Sequence, residues 1–255
     1  MIALLRSEFL KLRTTRTALG LLIAAMAISL LPGIIMFFVA SSNYLHQTES
    51  LVVAVLGLSI VPTLAFVFGI LGMTNEYRHG TVTTTYLASP HRGRVIVIKL
   101  VAYALVGAAV MIVTGLATLI LVSVGYAVRG ATFPSVISAS QITLADVRNV
   151  ALFVGSVGLS TAFGVALGAL VRAQVTTIAG GLVWGRIVEP IILGLKPAIA
   201  VWLPFTVFEQ LWIGDLGTGL ASHGLSRPEA FLVAMLYICG VSALAVFTSM
   251  RRDVT

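Results

Sequence analysis

The sequence predicts an all-α polytopic membrane protein with six transmembrane helices. Of its 255 residues, 58% are hydrophobic and only 10% are charged. The apolar residues occur in continuous runs of about 20, each long enough to cross the roughly 30 Å hydrocarbon layer as a helix. A transmembrane β-barrel would instead show alternation of apolar and polar residues. We expect one transmembrane domain over residues 1–255, because no polar stretch is long enough for an independent soluble domain.

Each candidate span is close to the length that a crossing requires. The spans are residues 18–40, 51–73, 99–123, 150–171, 174–195 and 230–249. The fifth is the least regular, because it contains Arg186, Glu189 and Pro190. Segment 196–229, which follows it, is apolar but interrupted by proline. Such a pattern is typical of an extracellular or re-entrant element buried against protein.

Residues 1–17 precede the first span and show their own periodicity. Ile2, Leu5, Phe9 and Leu12 recur at three- and four-residue spacing, and the basic residues lie off that stripe. This spacing favours an amphipathic helix in the membrane surface, with its basic residues near anionic headgroups. A basic tail without fixed structure is the alternative. The apolar run that follows exceeds the roughly 7–15 residues of a signal-peptide core, so we expect a retained span.

Lysine and arginine are concentrated on one side of the predicted bundle. If the N-terminus is cytoplasmic, the inner segments hold Arg6, Lys11, Arg13, Arg16, Arg78, Arg92, Arg94, Lys99, Arg172, Arg251 and Arg252, and the outer ones hold Arg129, Arg148, Lys196 and Arg227. The positive-inside rule then predicts that both termini are cytoplasmic. This distribution explains the net charge of +7 without a nucleic-acid partner, because the basic residues do not share one polar face.

Motifs for catalysis or nucleotide binding are missing from the sequence. A P-loop needs glycine before its lysine, whereas Lys11, Lys99 and Lys196 each follow an apolar residue. The four histidines are spread over three predicted loops and no HExxH motif occurs, which argues against a metal site. Cys239 is the one cysteine and is interpreted as inert. We therefore expect no catalytic residue, no metal and no cofactor bound by this chain.

Arg186 and Glu189 are the only ionisable pair inside a predicted span. A spacing of three residues places both side chains on one face of an α-helix, where each can neutralise the other. The pattern predicts a structural intramembrane ion pair. The alternative is a proton or substrate relay, since ionisable groups at this depth often have a function.

Small residues recur on the fourth span, where Ser160, Gly164 and Gly168 are four residues apart. Such a face allows two helix backbones to approach closely in a membrane. We expect packing within the chain, with a subunit interface as the alternative.

The polar strip 74–98 between spans two and three is too long for a minimal turn. Gly80 and the pair Ser89-Pro90 would bracket a short helix there. The β-branched run from Thr81 to Thr85 is a poor helix former, so such a helix would need support from packing.

This strip carries a resemblance to a known family. Its motif reads Glu76-x-x-x-Gly80-Thr81, then Leu87-x-Ser89-Pro90, then Arg92, Arg94 and Lys99 at the start of a span. The motif resembles the membrane subunits of ABC-2 type ATP-binding cassette transporters. The basic N-terminus LLRSEFLKLRTTR, the six spans and the broken apolar segment before the last span are also similar to that family.

The resemblance implies an ABC-2, type V exporter-like transmembrane domain. Residues 1–17 would form its elbow helix, loop 74–98 would carry the coupling helix that docks on a separate ATPase, and 196–229 would form short re-entrant helices facing outward. The implied coupling residues are Glu76, Arg78, Gly80, Thr81, Thr84, Leu87 and Arg92, and the implied elbow residues are Arg6, Phe9, Arg13 and Arg16. Glu76 would join elbow and coupling elements by ion pairing with Arg13, Arg16 or Arg78.

The family implies a permease subunit of an ABC transporter in the cytoplasmic (inner) membrane of a prokaryote. It would pair with a second permease copy, identical or homologous, and with two copies of a cytoplasmic ATPase that uses ATP and Mg. The permease would not itself be an enzyme. Its cargo would be a hydrophobic or amphipathic small molecule, such as a drug, antibiotic or lipid, as in multidrug efflux. The alternative is an ATP-independent carrier that uses Arg186 and Glu189, or an accessory or immunity membrane protein.

Overall fold

The computed structural model describes residues 2–14, 16–45, 48–81, 92–130, 144–213 and 224–251, and every regular element in these ranges is helical. The α-helices are α1 (Ile2–Thr14), α2 (Arg16–Val39), α3 (Ser42–Leu45), α4 (Thr48–Val55), α5 (Val61–Arg78), α6 (Arg92–Val128), α7 (Leu144–Val171), α8 (Gln174–Val183), α9 (Glu189–Leu195), α10 (Pro197–Ala200), α11 (Pro204–Ile213) and α12 (Arg227–Arg251). A 3₁₀ turn, Leu56–Ile60, joins α4 to α5, and a π-helical turn, Trp184–Val188, joins α8 to α9.

Six stretches of helix in the described chain are long and apolar enough to cross a membrane, which confirms the predicted number and order of spans. They are Leu19–Val39, Glu49–Arg78, Gly93–Val128, Asp146–Val171, Gln174–Leu195 and Arg227–Thr248. Some boundaries differ from the prediction. Helix α5 continues to Arg78 and α6 begins at Arg92, so both helices extend into the predicted loop 74–98.

The two helices extend past the predicted ends of spans two and three because charge ends an apolar run without ending a helix. Helical hydrogen bonds satisfy the backbone inside and outside the hydrocarbon layer alike. Helix α6 has 37 residues, a length of about 55 Å at about 1.5 Å per residue. It therefore extends well beyond the roughly 30 Å that a crossing requires.

The C-terminus of α5 and the N-terminus of α6 meet helix α1 at one end of the bundle. We call this end the charged face. Because successive spans reverse direction, the turn between α7 and α8 and the C-terminus of α12 lie at the same end. Helices α10 and α11 follow span five at the opposite end.

The centre of the bundle is a close contact between α5 and α7. A methyl group at Gly69 would overlap the carbonyl oxygen of Thr161, and one at Gly164 would overlap that of Phe66. Ser160 Oγ also donates a hydrogen bond to the carbonyl oxygen of Pro62 at 3.0 Å. The small-residue face of α7 is thus used for packing within the chain, as the sequence predicts.

Helix α11, within the predicted re-entrant segment, folds back onto this core. Its residues Val207, Phe208 and Leu211 are buried, and the rings of Phe208 and Phe163 lie 5.5 Å apart. The buried side chain of Gln210 donates to the carbonyl oxygen of Val201 and accepts from the amide of Leu225, at 2.8 and 2.7 Å. These bonds tie α11 to the turn before it and to the residues just before α12.

Candidate docking face at the charged end of the bundle

Four charged side chains from three helices meet at the charged face. Glu8 and Lys11 come from α1, Glu76 from the end of α5, and Lys99 from the first turns of α6; we call them the charged quartet. Lys99 Nζ lies 2.8 Å from Glu76 Oε1 and 2.7 Å from Glu8 Oε2. Lys11 Nζ lies 3.0 Å from Glu76 Oε1 and 2.9 Å from Glu8 Oε1. Each ammonium group therefore contacts both carboxylates.

The quartet is largely withdrawn from solvent. The side chain of Lys99 is 1% exposed, and those of Glu8 and Glu76 are 6% and 11% exposed, whereas Lys11 is 49% exposed. Burying a charge is costly unless it is paired and hydrogen-bonded. Two positive and two negative groups balance here, so the network is neutral and holds α1 against spans two and three.

Helix α1 presents Glu8 to the bundle because Leu5, Glu8 and Leu12 share one helical face. Leu5 and Leu12 pack against the cluster that contains Met73, Ile96 and Ala102. Phe9, another member of the predicted apolar stripe, is 37% exposed.

The ion-pairing role predicted for Glu76 is present, but its partners differ from those expected. Glu76 pairs with Lys11 and Lys99, not with Arg78, which instead donates to Gln174 Oε1 at 3.3 Å. Residues two apart on a helix do not face each other, so Arg78 does not share the face that Glu76 occupies. The side chains of Arg13 and Arg16 lie outside the described residues.

Sequence reasoning missed Glu8, Lys11 and Lys99 as a set. The available signals were the single acidic residue of α1 among three basic ones, and a lysine several residues into an apolar run. A lysine at such a position is expensive without a partner. The sequence does not show that α1 lies close to the N-terminus of α6. Only the tertiary structure shows this proximity.

A second polar group joins span two to the turn between α7 and α8. The guanidinium of Arg172 lies over the ring of Tyr77, 5.4 Å from its centroid, a favourable cation–π arrangement. Arg172 itself has a φ of 61°, which allows the sharp turn between the two spans. With the bond from Arg78 to Gln174, the charged face thus connects spans two to five.

Several predicted coupling residues follow Glu76 at the surface. Arg78, Gly80 and Thr81 are exposed. Gly80 has a φ of 67°, the left-handed conformation that commonly ends a helix. Thr84 and Leu87 lie outside the described residues, and Arg92 begins α6 with a side chain outside them. Arg6 is exposed on α1, as predicted for the elbow.

The predicted ion pair of Arg186 with Glu189 does not form. Arg186 contacts Thr63 Oγ1 of span two and lies 4.0 Å from Glu209 Oε1 of α11. Glu189 is buried and accepts hydrogen bonds from Trp184 Nε1, the amides of Phe205 and Thr206, and Thr206 Oγ1. Its carboxylate therefore caps the N-terminus of α11, a favourable position for an acidic group.

The π-helical turn explains why this prediction is wrong. Residues three apart share a face only in a regular α-helix. Residues 184–188 instead form a π turn, which takes more residues per turn and often occurs at functional sites. The two side chains consequently point in different directions. Arg186 points toward span two and helix α11, and Glu189 points into the core.

The pKa values of the two α1 members of the quartet are displaced in opposite directions. Burial raises the pKa of the Glu8 carboxyl, but its contacts with Lys99 and Lys11 outweigh burial and leave it below the ordinary 4.5. Burial lowers the pKa of Lys11, but Glu8 and Glu76 outweigh it and leave it above the ordinary 10.5. Both shifts favour the charged forms.

We predict that α1 detaches from the bundle at acid pH. A lowered pKa for Glu8 means that its contribution to stability is complete above about pH 4.5 and is lost as pH falls through the lower folded value. Lys11 contributes fully below about pH 10.5 and loses its contribution as pH rises further. A spin label at the exposed position Leu10, in a Cys239→Ser background, should become mobile on acidification. In the Glu8→Gln variant this acid transition should disappear; an unchanged transition would contradict the assignment to Glu8.

Comparison with protein-family models and with curated proteins finds no match. Among the described residues, no group of three or more His, Cys, Asp or Glu side chains is arranged to hold a metal ion. The polar features of the described chain include the charged face, the buried Glu189 and Gln210, and the surface position of Arg186.

Proposed function

We propose that this protein is the membrane-spanning permease subunit of an ABC-2 type ATP-binding cassette transporter. The single observation that carries the proposal is the charged quartet. It joins a surface helix to both ends of the segment where the sequence shows the motif Glu76-x-x-x-Gly80-Thr81. A separate cytoplasmic ATPase, present in two copies and using ATP and Mg, would dock on this face.

The quartet supports the proposal because of how it would transmit force. A buried network in which each lysine bonds two carboxylates resists separation, since pulling the helices apart removes both partners of a charged group and leaves buried charge unbalanced. Movement imposed on the segment after Glu76 would thus act on α1, α5 and α6 together. In this proposal, ATP-driven movement of the partner reaches spans two and three through these ion pairs.

The proposed cargo is a hydrophobic or amphipathic small molecule. A cavity of about 320 Å³ lies between α7, α8 and α11, lined by residues that include Phe163, Leu167, Trp184 and Phe205. Its walls are almost wholly apolar, as in most sites for small organic ligands. A second permease copy, identical or homologous, would complete the transport path. The complex would export its cargo across a prokaryotic cytoplasmic membrane, with both termini of this chain inside.

We predict that tagged protein purified in mild detergent captures a soluble P-loop ATPase through the charged face. Charge reversal of the exposed Arg78, or alteration of segment 81–87, should abolish capture and the ATP hydrolysis that accompanies it. The matched control is Arg148→Glu, since Arg148 is an exposed arginine at the opposite end. Loss of capture by Arg78→Glu but not by Arg148→Glu is expected; equal capture by both variants, in monodisperse preparations, would refute docking at this face.

The alternative of a carrier that uses Arg186 and Glu189 loses its main support. A relay requires the two groups to exchange a proton or share a ligand, yet each is engaged by different residues. Transport that persists without ATP and stops when the proton gradient is removed would restore that alternative.

A further inference from the structure

An apolar groove lies between span one and spans two and three, next to α1. Its volume is about 260 Å³, and its walls come from α1, α2, α5 and α6. The lining residues include Leu12, Leu22, Ala25, Phe68 and Val106. No ionisable side chain lines it, and it is distinct from the cavity beside Trp184.

The groove exists because α2 and the second span are close at one end and apart at the other. A methyl group at Gly57 would overlap the backbone of Ser29, so α2 lies directly on the 3₁₀ turn there. Two turns along α2 toward the charged face, Leu22 is separated from Leu64 and Phe68 by the groove. The space is therefore wedge-shaped, narrow at mid-bundle and wider near α1.

The position of the groove determines what fills it. Apart from Leu12 of α1, its lining residues lie within three helices that are long and apolar enough to cross a membrane, so an unfilled wedge would be occupied by hydrocarbon rather than water. The wide end of the groove is adjacent to α1. An amphipathic helix in the membrane surface lies at the depth of the lipid headgroups, so this end of the groove lies near that depth. Two exposed basic residues outside the neutral quartet, Arg6 on α1 and Arg94 at the start of α6, lie at this end of the bundle.

We propose that this groove binds one acyl chain of an anionic phospholipid, with the lipid headgroup beside the basic residues of the charged face. The apolar walls take the chain, and the positive charge selects the headgroup. The lipid would be a structural element that fills the wedge between α2 and α5 and supports α1 from the membrane side. This inference rests on the membrane setting of the helices and is independent of the ATPase partnership.

The test is native mass spectrometry of the purified chain, delipidated and then exposed to phosphatidylglycerol or phosphatidylcholine with identical acyl chains. Wild type should retain one phosphatidylglycerol in preference to phosphatidylcholine. Ala25→Leu, which adds bulk from the α2 wall, should reduce retention about tenfold, the effect expected for loss of roughly two buried methylene contacts. Val106→Phe should do the same from the α6 wall.

Matched controls lie on the same two helices. Ala27→Leu repeats the substitution two residues away at an exposed position of α2, and Val101→Phe does so at a residue of α6 that is 48% exposed. Both controls should retain the lipid as wild type does. Because the two groove variants act from opposite walls, failure of one to fold leaves the other as a test.

Three outcomes would overturn the proposal. The first is equal retention by groove variants and controls. The second is equal retention of phosphatidylglycerol and phosphatidylcholine by wild type. The third is displacement of the lipid by an uncharged long-chain alcohol at lower concentration than by phosphatidylglycerol, which would assign the groove to an apolar transported molecule. None of these outcomes bears on capture of an ATPase, so the two proposals fail separately.

Discussion

Replacing Lys99 with methionine is expected to lower the free energy of unfolding by about 3–5 kcal/mol. Lys99 is the one fully buried cation of the quartet and bonds both Glu8 and Glu76. Without it, two mostly buried carboxylates would share only the half-exposed Lys11. Their mutual repulsion and incomplete solvation should separate α1 from the bundle, because a buried charge without a partner costs far more than the intact pair contributes.

The measurement is reversible unfolding in mixed micelles, followed by circular dichroism as denaturing detergent is added. Lys196→Met is the matched control, since Lys196 is exposed at the opposite end of the bundle and should change stability by less than about 0.5 kcal/mol. The double variant Lys99→Met with Glu8→Gln restores the balance of charge and should recover part of the loss. If Lys99→Met and Lys196→Met unfold at the same point, the quartet does not stabilise the fold.

Replacing Gly164 with alanine is expected to destabilise the bundle by about 1–3 kcal/mol or more. The added methyl group would overlap the carbonyl oxygen of Phe66 on α5. A backbone atom inside a helix cannot rotate away as a side chain can, so α5 and α7 must move apart. The same separation would disturb Gly69 and Ser160, which contact the partner helix on either side.

Gly155→Ala provides the control on the same helix. A methyl group at Gly155 has nothing within 4 Å, and alanine has a higher helix propensity than glycine by up to about 1 kcal/mol. The two substitutions are chemically identical, yet we expect opposite signs in the same unfolding assay. Destabilisation of similar size at both positions would show that the contact between α5 and α7 is looser than the structure indicates.

These two predictions concern one mechanical unit. Helix α5 is fixed along its length to α7 by small residues and at its end to α1 and α6 by the quartet. If the charged face binds an ATPase as proposed, displacement of the end of α5 would move α7 with it. Gly164→Ala should then reduce stimulated ATP hydrolysis even where the ATPase is still captured.

The family resemblance implied ion pairing for Glu76, with Arg13, Arg16 or Arg78 as possible partners, and did not name the two lysines that the structure shows. Which cation pairs with Glu76 depends on which helix ends meet. Lys99 lies against Glu76 in space, whereas Arg78, the close neighbour of Glu76 in sequence, bonds Gln174 instead. For the same reason, the spacing of Arg186 and Glu189 indicated a pair that the π turn and the N-terminus of α11 do not allow.

The sequence by itself determined the six spans, their order and the helical class, because the length of an apolar run and its lack of charge are local properties that decide whether a helix can cross a membrane. It also determined that the small-residue face of α7 allows another helix to approach closely. Only the tertiary structure decided which helix lies on that face, which lysines neutralise Glu8 and Glu76, and where a groove remains between α2 and α5. Those features arise from contacts between residues distant in sequence, and the energy of each contact depends on the position of both partners.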